Sequence, residues 1–147
     1  MTIIPEDPRF IPDEERQARA KDYLQRLDPE GEEVVVELWN YVQFFGSGEN
    51  FEDVSCPACK TKLARDWWYQ RMEEDGNEDV GYKLASHPTP CCGMRFTLHE
   101  LIYDYPQGFG RFGLALLNPD FGKLSQEQQQ EFERVLGTPI RIIYQRI

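Results

Sequence analysis

Four cysteines are the residues of this chain best suited to chemistry, and they come in two tight pairs. Cys56-Pro57-Ala58-Cys59 is one; Cys91-Cys92, set between Pro90 and Gly93, is the other. In the first, two intervening residues turn the chain so that both sulfurs can converge on one ion, and zinc accepts tetrahedral thiolates without demanding redox chemistry. The expectation is one structural Zn2+ held by Cys56, Cys59, Cys91 and Cys92. The second pair fits the knuckle form Cys-Pro-x-Cys-Gly if Thr89 stands where the first cysteine usually does. Cys92 is then the more secure ligand, and the fourth place lies between Cys91 and His87. Neighbouring side chains diverge in extended backbone, so Cys91 qualifies only if a local turn brings it round. His87, four residues earlier, would supply a nitrogen instead.

Two other readings of the cysteines compete with the metal. Buried thiols can act as small hydrophobes, but that does not account for two pairs each beside a proline. A thioredoxin-like redox pair at Cys56 and Cys59 needs a strand before it, a helix after it and one activated thiol. Four thiolates would fill the metal's coordination shell, and a catalytic site needs an open position with a general base nearby. Glu100 and Asp104 follow the second pair, yet two carboxylates mean little on an acidic chain. No catalytic residue is assigned.

The elements that must position these cysteines are legible in outline. Residues 1–12, with Pro5, Pro8 and Pro12, read as an extended segment. Asp13 caps a first helix whose Ala20, Tyr23, Leu24 and Leu27 form one apolar stripe, and the turn at residues 28–31 ends it. Residues 33–45, rich in β-branched and aromatic side chains, favour a long, well-buried strand, although the run is also long enough for a helix. A second helix is expected over 63–74 with Leu63, Trp67 and Met72 inward, followed by a short strand from Val80 to Ala85. Thr97 and Glu100 have the form of a capping box that starts a short helix through Tyr103, with His99 on its surface. Residues 109–117 place Phe112, Leu114 and Leu116 at period two, a strand. Tyr103, Tyr105, Phe109 and Phe112 read as a core corner with a bend or bulge at its glycines. Ser125 and Gln128 box the start of a third helix that Gly137 stops, and Ile140 to Tyr144 closes as a strand. Of the consecutive Trp67, Trp68 and Tyr69, not all can face inward. The sum is a single α+β domain over 1–147, with about three helices, a mixed or antiparallel sheet and a zinc-knuckle region over 56–93.

Composition sets the outer bounds. The chain has 147 residues, 40% hydrophobic and 13% aromatic, which suits one core. Its net charge is −10, concentrated in residues 1–55, where 14 acidic and 5 basic side chains stand. Such a front repels phosphate backbones and attracts a basic partner. No secretory signal or membrane span is read, so a cytoplasmic protein is expected.

Taken together, residues 48–59 (GENFEDVSCPAC), Trp67-Trp68, residues 90–93 (PCCG), residues 101–106 (LIYDYP), Gly108-Phe109, Arg111-Phe112, Asn118-Pro119 and residues 136–139 (LGTP) resemble a group of small uncharacterised bacterial proteins. The resemblance covers most of the chain after about residue 33. It implies a bacterial cytoplasmic protein with a zinc-knuckle pair, and it lends no activity.

No Ser/His/Asp order, phosphate-binding glycine loop or HExxH pattern is present. The expected function is a non-enzymatic, zinc-stabilised acidic protein-binding domain. Its concrete form is a bacterial immunity or antitoxin protein that neutralises a basic toxin, with neither nucleic acid nor membrane as partner. One alternative is a small zinc-dependent or small-molecule-processing enzyme, which requires an open metal position and a pocket near Glu100 or His99. A further alternative is a zinc-ribbon nucleic-acid-binding protein, supported only by Lys60, Lys62 and Arg65.

Overall fold

A computed structural model describes residues 1–146. Three helices and antiparallel sheets make it an α+β fold. The chain opens with β1 (Thr2–Pro5), α1 (Glu14–Leu27) and β2 (Val35–Phe45). The middle holds short elements: β3 (Val54–Ser55), β4 (Lys62–Leu63), α2 (Arg65–Asp75), β5 (Gly76–Asn77), β6 (Gly81–Tyr82), β7 (His87–Pro88), β8 (Arg95–Phe96) and β9 (Ile102–Tyr103). It ends with β10 (Gly108–Ala115), α3 (Gln126–Leu136) and β11 (Ile140–Ile143).

The main sheet runs β11-β1-β10-β2, with every neighbouring pair antiparallel. Because side chains alternate across a strand, Ile3 and Ile4 point to opposite faces. Ile3 joins Phe112, Leu114 and Leu116 under the helices, while Ile4 packs with Phe45 and Ile143. The helices supply Ala20 and Leu24 from α1 and Phe132 and Leu136 from α3, all with no exposed surface. Their ends are well built. Asp13 Oδ1 accepts the Arg16 N–H at 2.8 Å, and Ser125 and Gln128 exchange hydrogen bonds of 3.1 and 2.9 Å as a full capping box. The opening segment is extended over β1 but turns at residues 6–9, where the Phe10 N–H donates to the Asp7 carbonyl at 3.2 Å, and its first residues do more than lead in, since β1 lies between β10 and β11.

A second core sits where Val42 and Phe109, at the inner end of β2 and β10, meet the middle segment. It contains Val54, Cys56, Leu63, Trp68, Leu84, Leu98, Leu101 and Tyr103. Trp68 is its centre: its Nε1–H donates to Tyr103 Oη at 3.0 Å, and that hydroxyl donates to the Leu98 carbonyl at 2.6 Å. Tyr103 and Phe109 are buried together as the aromatic corner expects, but Phe112 is buried in the other core, under the helices, and a register irregularity falls between Gly110 and Phe112. Tyr105 is exposed.

Several sequence expectations are corrected here: β2 is not well buried along its length, since Val35 to Tyr41 are exposed or half-buried and burial begins only at Val42. Trp68, not Trp67, is the buried tryptophan of α2, because Leu63 belongs to β4 and the helix begins only at Arg65. Thr97 to Tyr103 is not a helix: the Glu100 carboxylate does accept the Thr97 N–H at 2.8 Å, but the chain makes one turn and enters β9 to pair with β3. His99 is therefore buried in that turn and not on a helix surface. The strand expected over Val80 to Ala85 is confined to Gly81–Tyr82, since the Leu84 and Ala85 N–H groups bond to a carboxylate instead of a strand. Among the described residues no helix is long and apolar enough to cross a membrane.

Candidate metal centre

Two hairpins carry the cysteines. The β3–β4 pair holds residues 56–61 at its tip, and the β7–β8 pair holds residues 89–94. The tips are built alike. In the first, Lys60 N–H donates to the Cys56 carbonyl at 2.9 Å and Cys56 N–H to the Thr61 carbonyl at 2.9 Å. In the second, Gly93 N–H donates to the Thr89 carbonyl at 2.9 Å and Thr89 N–H to the Met94 carbonyl at 3.0 Å. Thr89 thus occupies the place that Cys56 holds in the first turn. The closing residue of each turn is left-handed, Lys60 at φ 63° and Gly93 at φ 76°. Glycine adopts that conformation at no steric cost, whereas lysine pays roughly 1–2 kcal/mol for it.

The turn over residues 90–92 resolves the difficulty of adjacent cysteines, since a turn does not send successive side chains to opposite sides. One sulfur from each of Cys56, Cys59, Cys91 and Cys92 lies within 4.8 Å of all the others. Cys56 Sγ is 3.7 Å from Cys92 Sγ, and Cys59 Sγ is 3.3 Å from Cys91 Sγ. Those separations are far beyond a disulfide bond of about 2.05 Å. They fit a metal: bonds of about 2.3 Å in a tetrahedron place sulfurs about 3.8 Å apart. Cys56 is buried in the second core and the other three cysteines are exposed. His87 does not point to the sulfurs; its Nε2 is 3.3 Å from Asp75 Oδ1.

Hydroxyls line the cluster. Thr89 Oγ1 is 3.6 Å from Cys56 Sγ and 3.5 Å from Cys92 Sγ, and Thr61 Oγ1 is 3.1 Å from Cys59 Sγ. Crowded thiols divide their protons unequally. At Cys56, burial favours the thiol, but the Cys59 backbone, the Thr89 hydroxyl and the Ala58 backbone outweigh it and bring the pKa down to about 6. At Cys91 the Thr89 hydroxyl pulls downward, yet lost hydration and the Cys59, Cys56 and Cys92 sulfurs push the pKa up to about 11. Four such sulfurs become thiolates together only around a cation.

Residues that sequence reasoning missed hold the hairpins in place. Asp75, at the end of α2 and buried, accepts the Leu84 N–H at 2.7 Å and the Ala85 N–H at 2.9 Å. It thereby steers the chain into β7. No periodic pattern marks a carboxylate whose partners are backbone groups nine and ten residues on. His99 is similarly committed: Nε2–H donates to the Glu6 carbonyl at 2.7 Å, and Nδ1 accepts the Phe109 N–H at 2.9 Å. Burial, with Arg141 nearby, lowers its pKa, against the opposing pull of Glu6 and Glu100. A cleft of about 560 Å³ opens beside His99 and Glu100, lined also by Glu6, Arg9, Thr97 and Arg141. Arg141 is itself occupied, forked onto the Glu6 carboxylate and donating to the His99 and Gln107 carbonyls at 3.2 and 2.7 Å. No cysteine lines this cleft.

Fold and site define an α+β domain with two similar knuckle-bearing hairpins and four cysteines placed to hold a metal ion. Compared with protein-family models, with curated proteins and with solved structures, the chain matches none.

Proposed function

We propose that this protein is a non-enzymatic, acidic protein-binding domain braced by one structural zinc ion, with Cys56, Cys59, Cys91 and Cys92 as ligands. The spacing of the four sulfurs carries the reading. Four thiolates complete a tetrahedral shell, which suits a brace and leaves no position for a substrate. Soft sulfur donors in tetrahedral array select zinc over harder divalent ions. The side chains that would serve as general bases are engaged: both nitrogens of His99 are bonded, and Glu100 holds the Thr97 N–H. Asp104 likewise accepts the Glu52 and Tyr105 N–H groups at 3.1 and 3.0 Å.

The partner in this proposal is a basic protein, and the form we favour is a cytoplasmic bacterial immunity or antitoxin protein acting on a cationic toxin. The supporting observation is the net charge of −10, to which four thiolates on one dication add two more negative charges, about −12 in all. Elemental analysis of the purified protein should find close to one zinc per chain. Well under one zinc, or a fold untouched by exhaustive chelation, refutes the brace. Expressed together with the product of the neighbouring gene, the tagged chain should co-purify with it. Recovery of no partner, with growth unchanged when that neighbour is expressed alone, refutes the immunity role.

The cleft beside His99 gives the enzyme reading its one favourable observation. It is concave and polar, as a small-molecule site is. Its polar groups are nonetheless engaged, Arg141 with Glu6 and the His99 carbonyl, Glu100 with the Thr97 N–H and Arg9 with the Lys83 carbonyl, and the cysteines are outside it. A metal shell that exchanges water freely is the result that favours the enzyme.

A further inference from the structure

We infer that the outer half of β2 is a docking edge for an extended, cationic and apolar segment of a partner protein; this rests on the proposal of a basic partner and says where that partner sits. β2 ends the main sheet and pairs only with β10 there, so one side of its backbone has no strand beside it. Three large apolar side chains stand exposed within five residues: Val35 at 54%, Leu38 at 55% and Trp39 at 39%. An unpaired edge with exposed apolar residues is the template that strand addition uses.

The edge is available over only part of its length. Its inner half is occupied: the Gln43 amide donates to the Glu78 carbonyl at 3.1 Å, and Gly81 abuts the Tyr41 ring so closely that a Cβ there would meet Tyr41 Cβ at 2.7 Å. Between Leu38 and Gln43 the pairing with β10 slips, because three residues of β10 (Gly110 to Phe112) face six of β2 (Leu38 to Gln43). The slip lets Trp39 and Asn40 stand outward. Val35 to Leu38 remain in regular register with Ala115 to Phe112 and have no strand on their other side.

Charge selects the occupant. Glu32, Glu33 and Glu37 border this stretch; the nearby cations are Lys21, paired with Glu33 at 3.7 Å, and Arg111, whose Nε–H donates to the Trp39 carbonyl at 3.2 Å. Native sheets commonly guard an edge with lysine, and residues 32–40 contain none. A second copy would bring the same three carboxylates and a net charge of −10 against its own kind. Val35 and Glu37 share one face of the strand and Val36 and Leu38 the other, so an added strand that alternates basic and apolar residues sets its cations beside Glu37 and its apolar side chains beside Leu38.

The test is a titration of the 15N-labelled full chain, purified with its metal, with a heptapeptide of alternating lysine and valine. Amide shifts are expected at residues 34–40. The same peptide carrying N-methyl groups at alternate residues, which cannot add strand hydrogen bonds, should fail to produce them. The double variant Leu38→Ser/Trp39→Ser should weaken binding about tenfold or more. Glu37→Lys, which changes charge without removing apolar surface, should weaken it and flatten its salt dependence. Shifts that map to α1 or elsewhere on the acidic surface, with affinity indifferent to these variants, overturn the edge and leave the basic-partner reading standing. No binding at any site overturns both.

Discussion

Exchanging the roles of Thr89 and Cys91 is the sharpest test of the metal centre. The two knuckles share their backbone hydrogen bonds, but the second carries a hydroxyl where the first carries Cys56, and it takes its extra sulfur from the next residue but one. Replacing Cys91 by alanine leaves three thiolates and admits a water. If a structural zinc site of about 10–16 kcal/mol is shared over four ligands, the loss is about 2.5–4 kcal/mol, or roughly 70- to 1,000-fold in zinc affinity. Thr89 Oγ1 already lies within 3.6 Å of two of the sulfurs. A sulfur in its place, on a longer bond, reaches further toward the same point. The double variant Thr89→Cys/Cys91→Ala should therefore recover most of the affinity lost in Cys91→Ala alone. Competition against a chromophoric chelator measures the affinity. Cobalt substitution counts the thiolates, since the charge-transfer absorption of a four-sulfur site should fall in Cys91→Ala and return in the double variant. Unchanged affinity in Cys91→Ala, or a double variant no better than the single one, would refute a four-sulfur site of this geometry.

Three further outcomes follow from the same structure. Stability should fall in acid through His99: its pKa is lowered in the fold, so the unfolded chain takes the proton first, and stability present above pH 6.5 is lost as pH falls below that ordinary value. Protonation would set an Nδ1–H against the Phe109 N–H, and pH-dependent denaturation with 15N shifts of the ring, expected to show the Nε2–H tautomer, checks both claims. Asp75→Asn should destabilise by about 1.5–3 kcal/mol, because an amide offers one acceptor oxygen where the carboxylate serves Leu84 and Ala85 with two; urea unfolding measures it. Phe112→Ala, in the core under the helices, should cost about 3–5 kcal/mol in the same assay while leaving zinc content unchanged, since Phe112 and the cysteines belong to different cores.

Much of the scaffold is local and so was readable along the chain. The caps at Asp13 and Ser125, the stripe of Ala20 and Leu24, and the period-two alternation of Phe112, Leu114 and Leu116 are decided by residues a few positions apart. Even the correspondence of Thr89 with a knuckle cysteine was visible as spacing. The errors share a cause. Thr97 to Tyr103 satisfies the local rule for a helix start, but Val54 and Ser55 offer Ile102 and Tyr103 a strand partner from far away in sequence, and that pairing wins. Trp67 and Trp68 are equivalent by composition; the late start of α2 and the packing of Phe44, Phe51 and Tyr103 around Trp68 decide which one is buried.

The cysteine types and their pairing, by themselves, determined that this chain is equipped to hold a soft metal ion, because thiolate chemistry and Cys-x-x-Cys spacing belong to the local chain. Which groups converge was decided in three dimensions. The turn over residues 90–92 swings Cys91 to the side of Cys92, and the buried Asp75 carboxylate draws His87 away to itself. A backbone turn and a distant carboxylate set those directions, and neither is written in the identity of the ligands.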